Sequence, residues 1–333
     1  MSRHVRSMVA ASFLIATALV ASGCSTGSVP SGADTADFPA KGRTITLIVP
    51  YDAGGAGDIG ARMLQPYLED ELGVSVEIEN KPGAGSQIGV SALSRAKPDG
   101  YTLGFTHLPA TITTYLDPER QADFDLSDLS PVGMFVIDPN SFAVKGDSRF
   151  DDLDDLLEEA RDNPSAVRVT DSGVLSDGHI TALRLQDLGD AEFAIVHGDG
   201  GAANITNILG DNTDVGNLNI SGNTAELVRS GVIKLLAIFD TERDPNYPDV
   251  KTATEQGYPI VTGSSRAISA PAGTPQQIVD AISSAMKRAM ENPEFVEKAE
   301  ASGLRLTYMD PAQLKEYWST LEKDVAPLIG SGK

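Results

Sequence analysis

The chain has 333 residues, of which 41% are hydrophobic and 6% are aromatic, and it carries 26 basic against 47 acidic side chains. Its formal charge of −21 argues against nucleic acid and anionic lipid headgroups as partners, because both would be repelled. No apolar run approaches the roughly 20 residues that a transmembrane helix needs.

Residues 1–23 have the pattern of a secretory signal peptide: two arginines precede an apolar run at residues 8–20, which ends in three small residues. Cys24, the sole cysteine, follows where a bacterial lipoprotein carries its diacylated thiol, although Ala21 stands where leucine is usual. A free thiol is the alternative. We therefore predict a protein exported to the outer face of the cell membrane, periplasmic or on the cell surface. Its membrane contact would be the lipid anchor alone, with residues 24–41 as a flexible tether.

About 290 residues remain, enough for two domains. Val- and Ile-rich runs bounded by Gly and Pro alternate with segments of helical period, which predicts an α/β protein with a mostly parallel sheet. The predicted strands cover residues 44–49, 74–78, 101–106, 132–144, 167–170, 193–196 and 233–239, with another near residue 215. The predicted helices cover residues 58–72, 87–96, 150–161, 179–188 and 202–209, and three more follow Thr274, Asn292 and Asp310.

Capping residues and prolines set several predicted boundaries. Asp58 is predicted to cap the first helix, and Thr274, Asn292 and Asp310 each precede a proline at a predicted first helical position. Pro139 interrupts the strand-like run at residues 132–144, which we interpret as a crossing between domains. The C-terminal helices would then return to the first domain.

Catalytic and metal-binding patterns are sparse. Three histidines remain outside the signal peptide, His107, His179 and His197, and none has paired metal-ligand spacing. Ser86 and Ser176 do not fit the G-x-S-x-G pattern, although a triad is recognised by geometry and a hydrolase stays an alternative. The acidic segment at residues 150–161 lacks the Gly and Glu of a calcium loop. The prediction is a protein that is not an enzyme and has no metal and no cofactor.

Glycine-rich loops recur between strands and helices. Residues 55–60 match G-x-G-x-x-G and are followed by Glu77 and Glu79, so an exported NAD-dependent oxidoreductase is the alternative function. However, a strand, glycine-rich loop and helix recur at residues 51–58, 82–87, 172–179 and 197–202. Each helix start offers free N–H groups and a positive dipole end, and such loops gather at the carboxyl ends of strands. Any one loop could be only a sharp turn, but four together predict a cleft for a carboxylate.

Four segments resemble the tripartite tricarboxylate transporter substrate-binding proteins, the TctC or Bug receptors. They are ITLIVPYDAGGAGD (residues 45–58), ENKPGAG (79–85), KPDGYTL (97–103) and APAGTP (270–275), in order and at matching intervals. The resemblance implies an α/β fold of the periplasmic binding protein type 2 class, with two lobes joined by two crossover strands around a ligand cleft. It places lobe 1 at residues 42–137 and 267–333, and lobe 2 at residues 138–266.

The resemblance also implies a solute receptor, expected to be a monomer, that delivers a small organic acid to the large and small membrane subunits of a transporter. The lobes would close about a hinge near Asp138 and Ser265. The implied ligand-binding residues are Tyr51, Ala53, Gly54, Gly55, Asp58, Gly85, Ser86, Thr106, His107, Ser176, His179, Gly200, Gly201, Asn217 and Asn219.

Two departures from the family pattern concern charge. Asp199, in Gly198-Asp199-Gly200, stands where the family commonly has a lysine, and Ser265-Arg266 stands where an aromatic pair is frequent. One hypothesis is that Asp199 and Arg266 determine specificity at the distal end of the cleft, so that the far end of the ligand is neutral or carries an amine. Arg266 would then pair with Asp199 or bind a distal carboxylate. The alternative is that both residues lie outside the cleft.

Overall fold

The structure, a computed structural model, describes residues 38–329 except residues 52, 55 and 199. The predicted signal peptide, the predicted lipidation site Cys24 and most of the predicted tether lie outside the described residues. Gly55 and Asp199 also lie outside them. Among the described residues, no helix has the length and apolar character needed to cross a bilayer.

Strands and helices alternate along the described chain, as the hydrophobic pattern predicts. The strands are β1 (Thr44–Val49), β2 (Ser75–Asn80), β3 (Thr102–Leu108), β4 (Leu129–Lys145), β5 (Arg168–Asp171), β6 (Ala194–His197), β7 (Val215–Asn219), β8 (Ile233–Ile238), β9 (Gly263–Pro271) and β10 (Leu306–Met309). The helices are α1 (Ala56–Leu72), α2 (Gln87–Ser94), α3 (Ala110–Leu116), α4 (Leu153–Asp162), α5 (Asp177–Gly189), α6 (Gly201–Leu209), α7 (Asn223–Arg229), α8 (Gln276–Glu291), α9 (Pro293–Ala301) and α10 (Pro311–Val325).

The strands form one mixed sheet in the order β2-β1-β3-β9-β4-β7-β5-β6, and β8 and β10 also pair with β4. Parallel pairs lie towards both ends, β1 with β2 and β3, and β5 with β6 and β7. Between them, β9 runs antiparallel to both β3 and β4. The two strands β4 and β9 therefore connect the parallel parts of the sheet.

The long strand β4 changes partners at Pro139. Its first part pairs with β9 as far as Pro139, and from Asn140 onwards it pairs with β7 and β8. The strand β4 continues through Pro139 without a break. A proline is accommodated at this switch of partners, and its carbonyl still accepts a hydrogen bond from Ile220 N at 3.2 Å.

The buried apolar side chains form several groups on either side of this switch. Two groups draw their buried members from the chain before Ile137 and after Arg266, with Ile180 of α5 as the exception. Two other groups draw theirs from residues 142–260. Because Ile180 packs in the same group as Leu108 and Trp318, α5 also contacts the first set of elements.

The caps are confirmed at two of four predicted positions. Asn292 and Asp310 accept hydrogen bonds from the first-turn N–H groups of α9 and α10. The prediction for Thr274 is wrong, because Pro275 takes the cap position of α8 and the Thr274 hydroxyl instead donates to Pro271 O. The prediction for Asp58 is also wrong, since α1 begins two residues earlier and Asp58 lies in its first turn.

Candidate functional site

The loop from β1 to α1 is braced by Asp58. Its buried carboxylate accepts hydrogen bonds from Gly54 N at 2.8 Å, Arg62 Nε at 2.9 Å and Asn80 Nδ2 at 3.0 Å. The hydrogen bond from Arg62 is the main cause that lowers the pKa of Asp58 to about 2. Asp58 thus holds the loop in shape with its hydrogen-bonding capacity used internally. Ala53 and Gly54 of the same loop are exposed.

The loop before α2 presents a strained serine. Ser86 has φ 88°, which is unusual for a residue with a side chain, and it follows Gly85 at φ 64°. Ser86 is 1% exposed, and its hydroxyl has no hydrogen-bond partner of normal geometry among the described residues. Arg120 lies against Gly85 and is paired with Asp117 at 3.6 Å. A strained, buried and unpaired hydroxyl of this kind is frequent at binding sites.

Tyr51 and His107 form an aromatic contact beside Ser86. Their ring centroids are 4.3 Å apart. Burial raises the pKa of Tyr51 to about 12, against the opposing influence of Ser86 and Arg266, so the phenol is neutral. Burial and the neighbouring Arg266 hold the pKa of His107 well below its usual range, and His107 Nε2 has no partner among the described residues. The imidazole is therefore neutral and can donate or accept one more hydrogen bond.

Arg266 lies in the same cluster. It is the register partner of His107 across β9 and β3, and directly opposed residues share one face of a sheet. The residue is 4% exposed, and Nε and Nη1 have no hydrogen-bond partner within the described chain. A buried guanidinium is rarely left with unused donors, because each unmet N–H group is destabilising. Arg266 therefore has unused N–H donors on two sides of its guanidinium, at Nε and at Nη1, each of which can form a charge-assisted hydrogen bond to an anion.

Two carboxyl groups complete the cluster. Asp138 of β4 is 1% exposed; Ser221 donates to Oδ2, while Oδ1 has no partner among the described residues. Burial raises the pKa of Asp138 to about 6, although Arg266 and Ser221 oppose the rise. Asp177, in the first turn of α5, also has its pKa raised by burial, against hydrogen bonds from Asn219 and the Gly178 N–H. We define the buried cluster as Ser86, His107, Asp138 and Arg266, which are buried, together with the half-buried Tyr51 and Asp177.

Other predicted residues support the framework. The Thr106 hydroxyl is buried between Ala267 O and Ser269 Oγ. Asn217 Nδ2 donates to Gly178 O at 3.3 Å. Asn219 Nδ2 donates to Asp138 O at 3.0 Å and to Asn140 Oδ1 at 2.9 Å. These side chains hold β9, α5 and β4 in place.

A second polar group lies at the ends of β5 and β6. Ser176 caps α5 by accepting a hydrogen bond from His179 N, and the rings of His179 and His197 are 4.8 Å apart. His197 Nδ1 is 2.8 Å from Asp171 Oδ1, and Gly200 caps the adjacent helix α6, which begins at Gly201. Thus Ser176, His179, Gly200 and Gly201 belong to this second group, and the buried cluster is built from other side chains.

The second group is the one place where the described side chains could gather a metal ion. Ligand atoms of Asp171, His179 and His197 lie within 4.8 Å of one another, which the sequence spacing does not reveal. However, Leu175 N donates to His179 Nδ1 at 2.9 Å, so a neutral His179 carries its proton on Nε2. That tautomer has no free lone pair for a metal. The chemistry of this donor set fits a hydrogen-bonding network better than a metal centre.

Sequence reasoning missed part of the cluster. The sequence predicts Asp138 and Ser265 only as residues near a hinge, and no sequence pattern marks Asp177 or Ser221. The Ser265 hydroxyl is buried and has no partner of normal geometry among the described residues, although it lowers the pKa of Tyr317, which burial raises. The signal available for Asp138 was its charge, because an acidic residue beside a proline in an otherwise apolar strand is unusual.

A cavity of about 370 Å³ lies beside strands β4 and β9. Ile137 and Pro139 of β4, Gly263 of β9 and Tyr317 of α10 contribute to its lining, together with Asp177. None of the predicted ligand-binding residues lines it. This cavity touches the buried cluster only through Asp177.

The dinucleotide fingerprint has a different role in the structure. Residues 56–60 form the first turn of α1, and the third glycine of the motif, Gly60, packs against Phe135. Of the acidic residues expected to bind a ribose, Glu79 is paired with Lys81 at 2.6 Å and Glu77 is exposed. Glycine in this helix therefore serves close packing.

The fold and the buried polar cluster define a periplasmic binding protein, a receptor for a small solute. A TctC solute-binding protein from Polaromonas, 23% identical, superposes with a TM-score of 0.75 over 87% of this chain and 98% of its own. The profile described as "Tripartite tricarboxylate transporter family receptor" (TctC) matches residues 60–331. The chain belongs to this family, which does not support the oxidoreductase alternative.

Three similar proteins are a named relative and two proteins whose structures contain a bound organic acid. BugT from Bordetella pertussis (strain Tohama I) is 30% identical over 294 residues, which cover 87% of this chain and 88% of BugT. MatC from Rhodopseudomonas palustris, solved with bound malate, is 27% identical with a TM-score of 0.73, over 87% of this chain and 100% of MatC. An R. palustris protein solved with adipate is 25% identical with a TM-score of 0.76, over 87% and 98% of the two chains.

Proposed function

We propose that this receptor captures a small organic acid in a cleft between two lobes, with Arg266 as the side chain that binds a carboxylate. The unused donors Nε and Nη1 of a 4% exposed arginine carry the proposal. A carboxylate would accept a charge-assisted hydrogen bond from one of these donors, which is stronger than a hydrogen bond between neutral groups. Malate and adipate, bound in two relatives, are ligands of the same chemical class.

Neutral groups around Arg266 would complete the pocket. Ser86 can donate a hydrogen bond, and the neutral His107 and Tyr51 can donate without adding charge. The free backbone N–H groups at the start of α1 and of the loop before α2 add dipoles with their positive ends towards the ligand. The recognition chemistry thus combines one guanidinium with neutral donors, although the whole chain carries a formal charge of −21.

Two lobes, residues 42–137 with 267–333 and residues 138–266, would close about the crossover strands β4 and β9. The switch of partners at Pro139 supports a hinge there, since a strand bends most easily where its ladder changes. A ligand that contacts both Arg266 and the start of α5 would stabilise the closed form, which the large and small subunits of a membrane transporter would recognise. Binding makes and breaks no covalent bond.

Ligand binding by the wild-type protein and Arg266→Gln tests the proposal, with Arg229→Gln as a control that removes an exposed arginine from α7. Mass spectrometry of ligand released by denaturation would identify the acid, and thermal unfolding would measure binding to millimolar carboxylates and to NAD. At a ligand concentration of about 100 times Kd, the expected stabilisation is about 2.7 kcal/mol. We expect it from a carboxylate for wild type and Arg229→Gln, and not for Arg266→Gln. Stabilisation by NAD alone would overturn the proposal.

The membrane anchor is a separate part of the proposal. Cys24 would carry the lipid, and the monomeric receptor would stay at the outer face of the membrane. The variant Cys24→Ser is expected to shift the protein from the membrane fraction to the soluble extracytoplasmic fraction and to abolish labelling by a fatty acid. Unchanged labelling would refute the anchor without affecting ligand binding.

A further inference from the structure

The buried cluster contains a cation and an anion that do not neutralise each other. Nη2 of Arg266 lies 3.9 Å from Oδ2 of Asp138, which exceeds hydrogen-bond distance. A buried ion pair normally closes to bidentate contact, because desolvated charges are destabilising unless they are hydrogen-bonded. Here Ser221 occupies one oxygen of Asp138, and the other oxygen has no partner among the described residues. The pair thus retains both unused donors and an unused acceptor.

The cluster has two carboxyl groups for one guanidinium. Arg266 contributes one positive charge, whereas Asp138 and Asp177 both carry carboxyl groups, each of which raises the energy of the other in its charged form. His107 adds no charge, since burial and Arg266 hold the pKa of its imidazole well below the usual range. Arg120, near Gly85, is paired with Asp117. A ligand with two carboxylates would therefore bring two further negative charges to a site with one available cation.

From this arrangement we propose that the receptor prefers carboxylic acids that also carry an ammonium group, with Arg266 binding the carboxylate and Asp138 the ammonium. The inference rests on the proposed function, since it assigns the ligand class of the same cleft. An ammonium group donates to the free Oδ1 of Asp138 and offsets the second negative charge. A hydroxyl group could donate to the same oxygen, but without the charge.

Matched series of ligands test this directly. Isothermal titration would compare alanine, lactate and propionate, then aspartate, malate and succinate, then glutamate, 2-hydroxyglutarate and glutarate. A charge-assisted hydrogen bond contributes about 1.5–3 kcal/mol, or roughly tenfold to 100-fold in Kd. We expect the amino acid to bind at least about tenfold more tightly than the plain acid in the series that fits the cleft, with the hydroxy acid between them.

The variant Asp138→Asn should remove the preference while leaving the carboxylate contact. The ratio of the two affinities is expected to fall to within about threefold, because an amide no longer attracts the ammonium charge. Asp187→Asn, an exposed substitution on α5, is the matched control and should keep the wild-type ratio. If Asp138→Asn does not fold, Asp177→Asn can be measured in its place, and it should reduce the affinity ratio by a smaller factor.

The outcomes separate the two proposals. Binding of plain acids as tightly as their amino analogues, or an unchanged ratio in Asp138→Asn, would overturn the ammonium preference and leave carboxylate capture intact. Failure of every member of the three series to bind, together with a released ligand that has no carboxylate, would overturn both. A preference that disappears in Asp138→Asn and persists in Asp187→Asn would establish Asp138 as the specificity-determining residue.

Discussion

Arg266 and Asp138 lie on the adjacent antiparallel strands β9 and β4, both buried, with 3.9 Å between Nη2 and Oδ2. Asp138 immediately precedes Pro139, where β4 changes its pairing partners. The charged groups that would recognise a ligand are therefore placed on the elements that would bend during closure. A ligand that contacts Arg266 and Asp138 would therefore act directly on the two strands of the hinge.

Asp138 should make the folding stability depend on pH. Its pKa rises from 3.8 in the unfolded chain to about 6, so the folded protein retains a proton between these values and loses stability as the pH rises through them. The charged groups facing it are Arg266 from β9 and Asp177 from α5, and its charge also acts on Tyr247. We expect the unfolding free energy of Asp138→Asn, relative to that of wild type, to increase by up to about 3 kcal/mol between pH 4 and pH 7.

Urea unfolding of both proteins without ligand, at several pH values, measures this difference. Asp187→Asn is the control, because its exposed side chain should give a difference that is flat with pH. A difference between wild type and Asp138→Asn that stays constant from pH 4 to pH 7 would contradict the burial of a titrating carboxyl group.

Asp58 should have the opposite dependence. Its carboxylate accepts charge-assisted hydrogen bonds, and its pKa is lowered to about 2, so its contribution is present above pH 4 and disappears as the pH falls towards 2. Because Arg62 is half exposed, the contribution is expected to be about 1–2 kcal/mol. Asp58→Asn should lose that stability at pH 7 in urea unfolding, while Glu77→Gln, on an exposed part of β2, should not. Equal stability of the two variants would argue against the brace.

The strand and helix order could be predicted from hydrophobic period and from turn residues, but the polar cluster could be predicted only in part. Loops rich in glycine pointed to Tyr51 and Ser86, since these residues lie where helices begin. Asp138, Asp177 and Ser221 come from three separate segments of the chain. Their proximity depends on the antiparallel pairing of β4 with β9 and on the packing of α5, which no local pattern encodes.

The hydrogen-bond partners of Asn217 and Asn219 also depend on packing between distant segments of the chain. The resemblance to the receptor family predicts Asn217 and Asn219 as ligand-binding residues. In the structure their amide nitrogens donate hydrogen bonds to Gly178 O, Asp138 O and Asn140 Oδ1. A sequence shows which side chains can form hydrogen bonds, whereas the partner that uses each of them is a property of the packed structure.

Two substitutions of Ser86 distinguish the effect of its backbone conformation from the effect of its hydroxyl group. A residue with a side chain at φ 88° is destabilised by roughly 1–2 kcal/mol relative to glycine. Ser86→Gly is therefore expected to be about 1 kcal/mol more stable than Ser86→Ala, although both lose the hydroxyl and should lose ligand affinity equally. Thermal unfolding and titration with the identified acid measure the two effects. Different affinities for the two variants would show that the backbone conformation, and not the hydroxyl, determines binding.

Gly263 allows the crossover strands to approach closely. A Cβ atom there would lie 2.6 Å from Asp138 O and 2.9 Å from Pro139 Cα, both backbone atoms that cannot move aside cheaply. Gly263→Ala should therefore destabilise the protein by about 1–3 kcal/mol and weaken ligand binding, because β9 must shift away from β4. Gly201→Ala, at a helix start with no atom within 4 Å of the added carbon, is the matched stability control. Similar unfolding free energies for the two variants would contradict this close approach.

His179 offers a test of the second polar group. Leu175 N donates to Nδ1, so the proton of the neutral ring should lie on Nε2, and burial lowers the pKa of His179, which favours the neutral ring. Nitrogen chemical shifts of labelled histidine distinguish the two tautomers. Because that tautomer leaves no lone pair, Zn²⁺ is expected to bind no more tightly to wild type than to His179→Gln. A proton on Nδ1, or zinc binding that His179→Gln abolishes, would instead make Asp171, His179 and His197 a metal site.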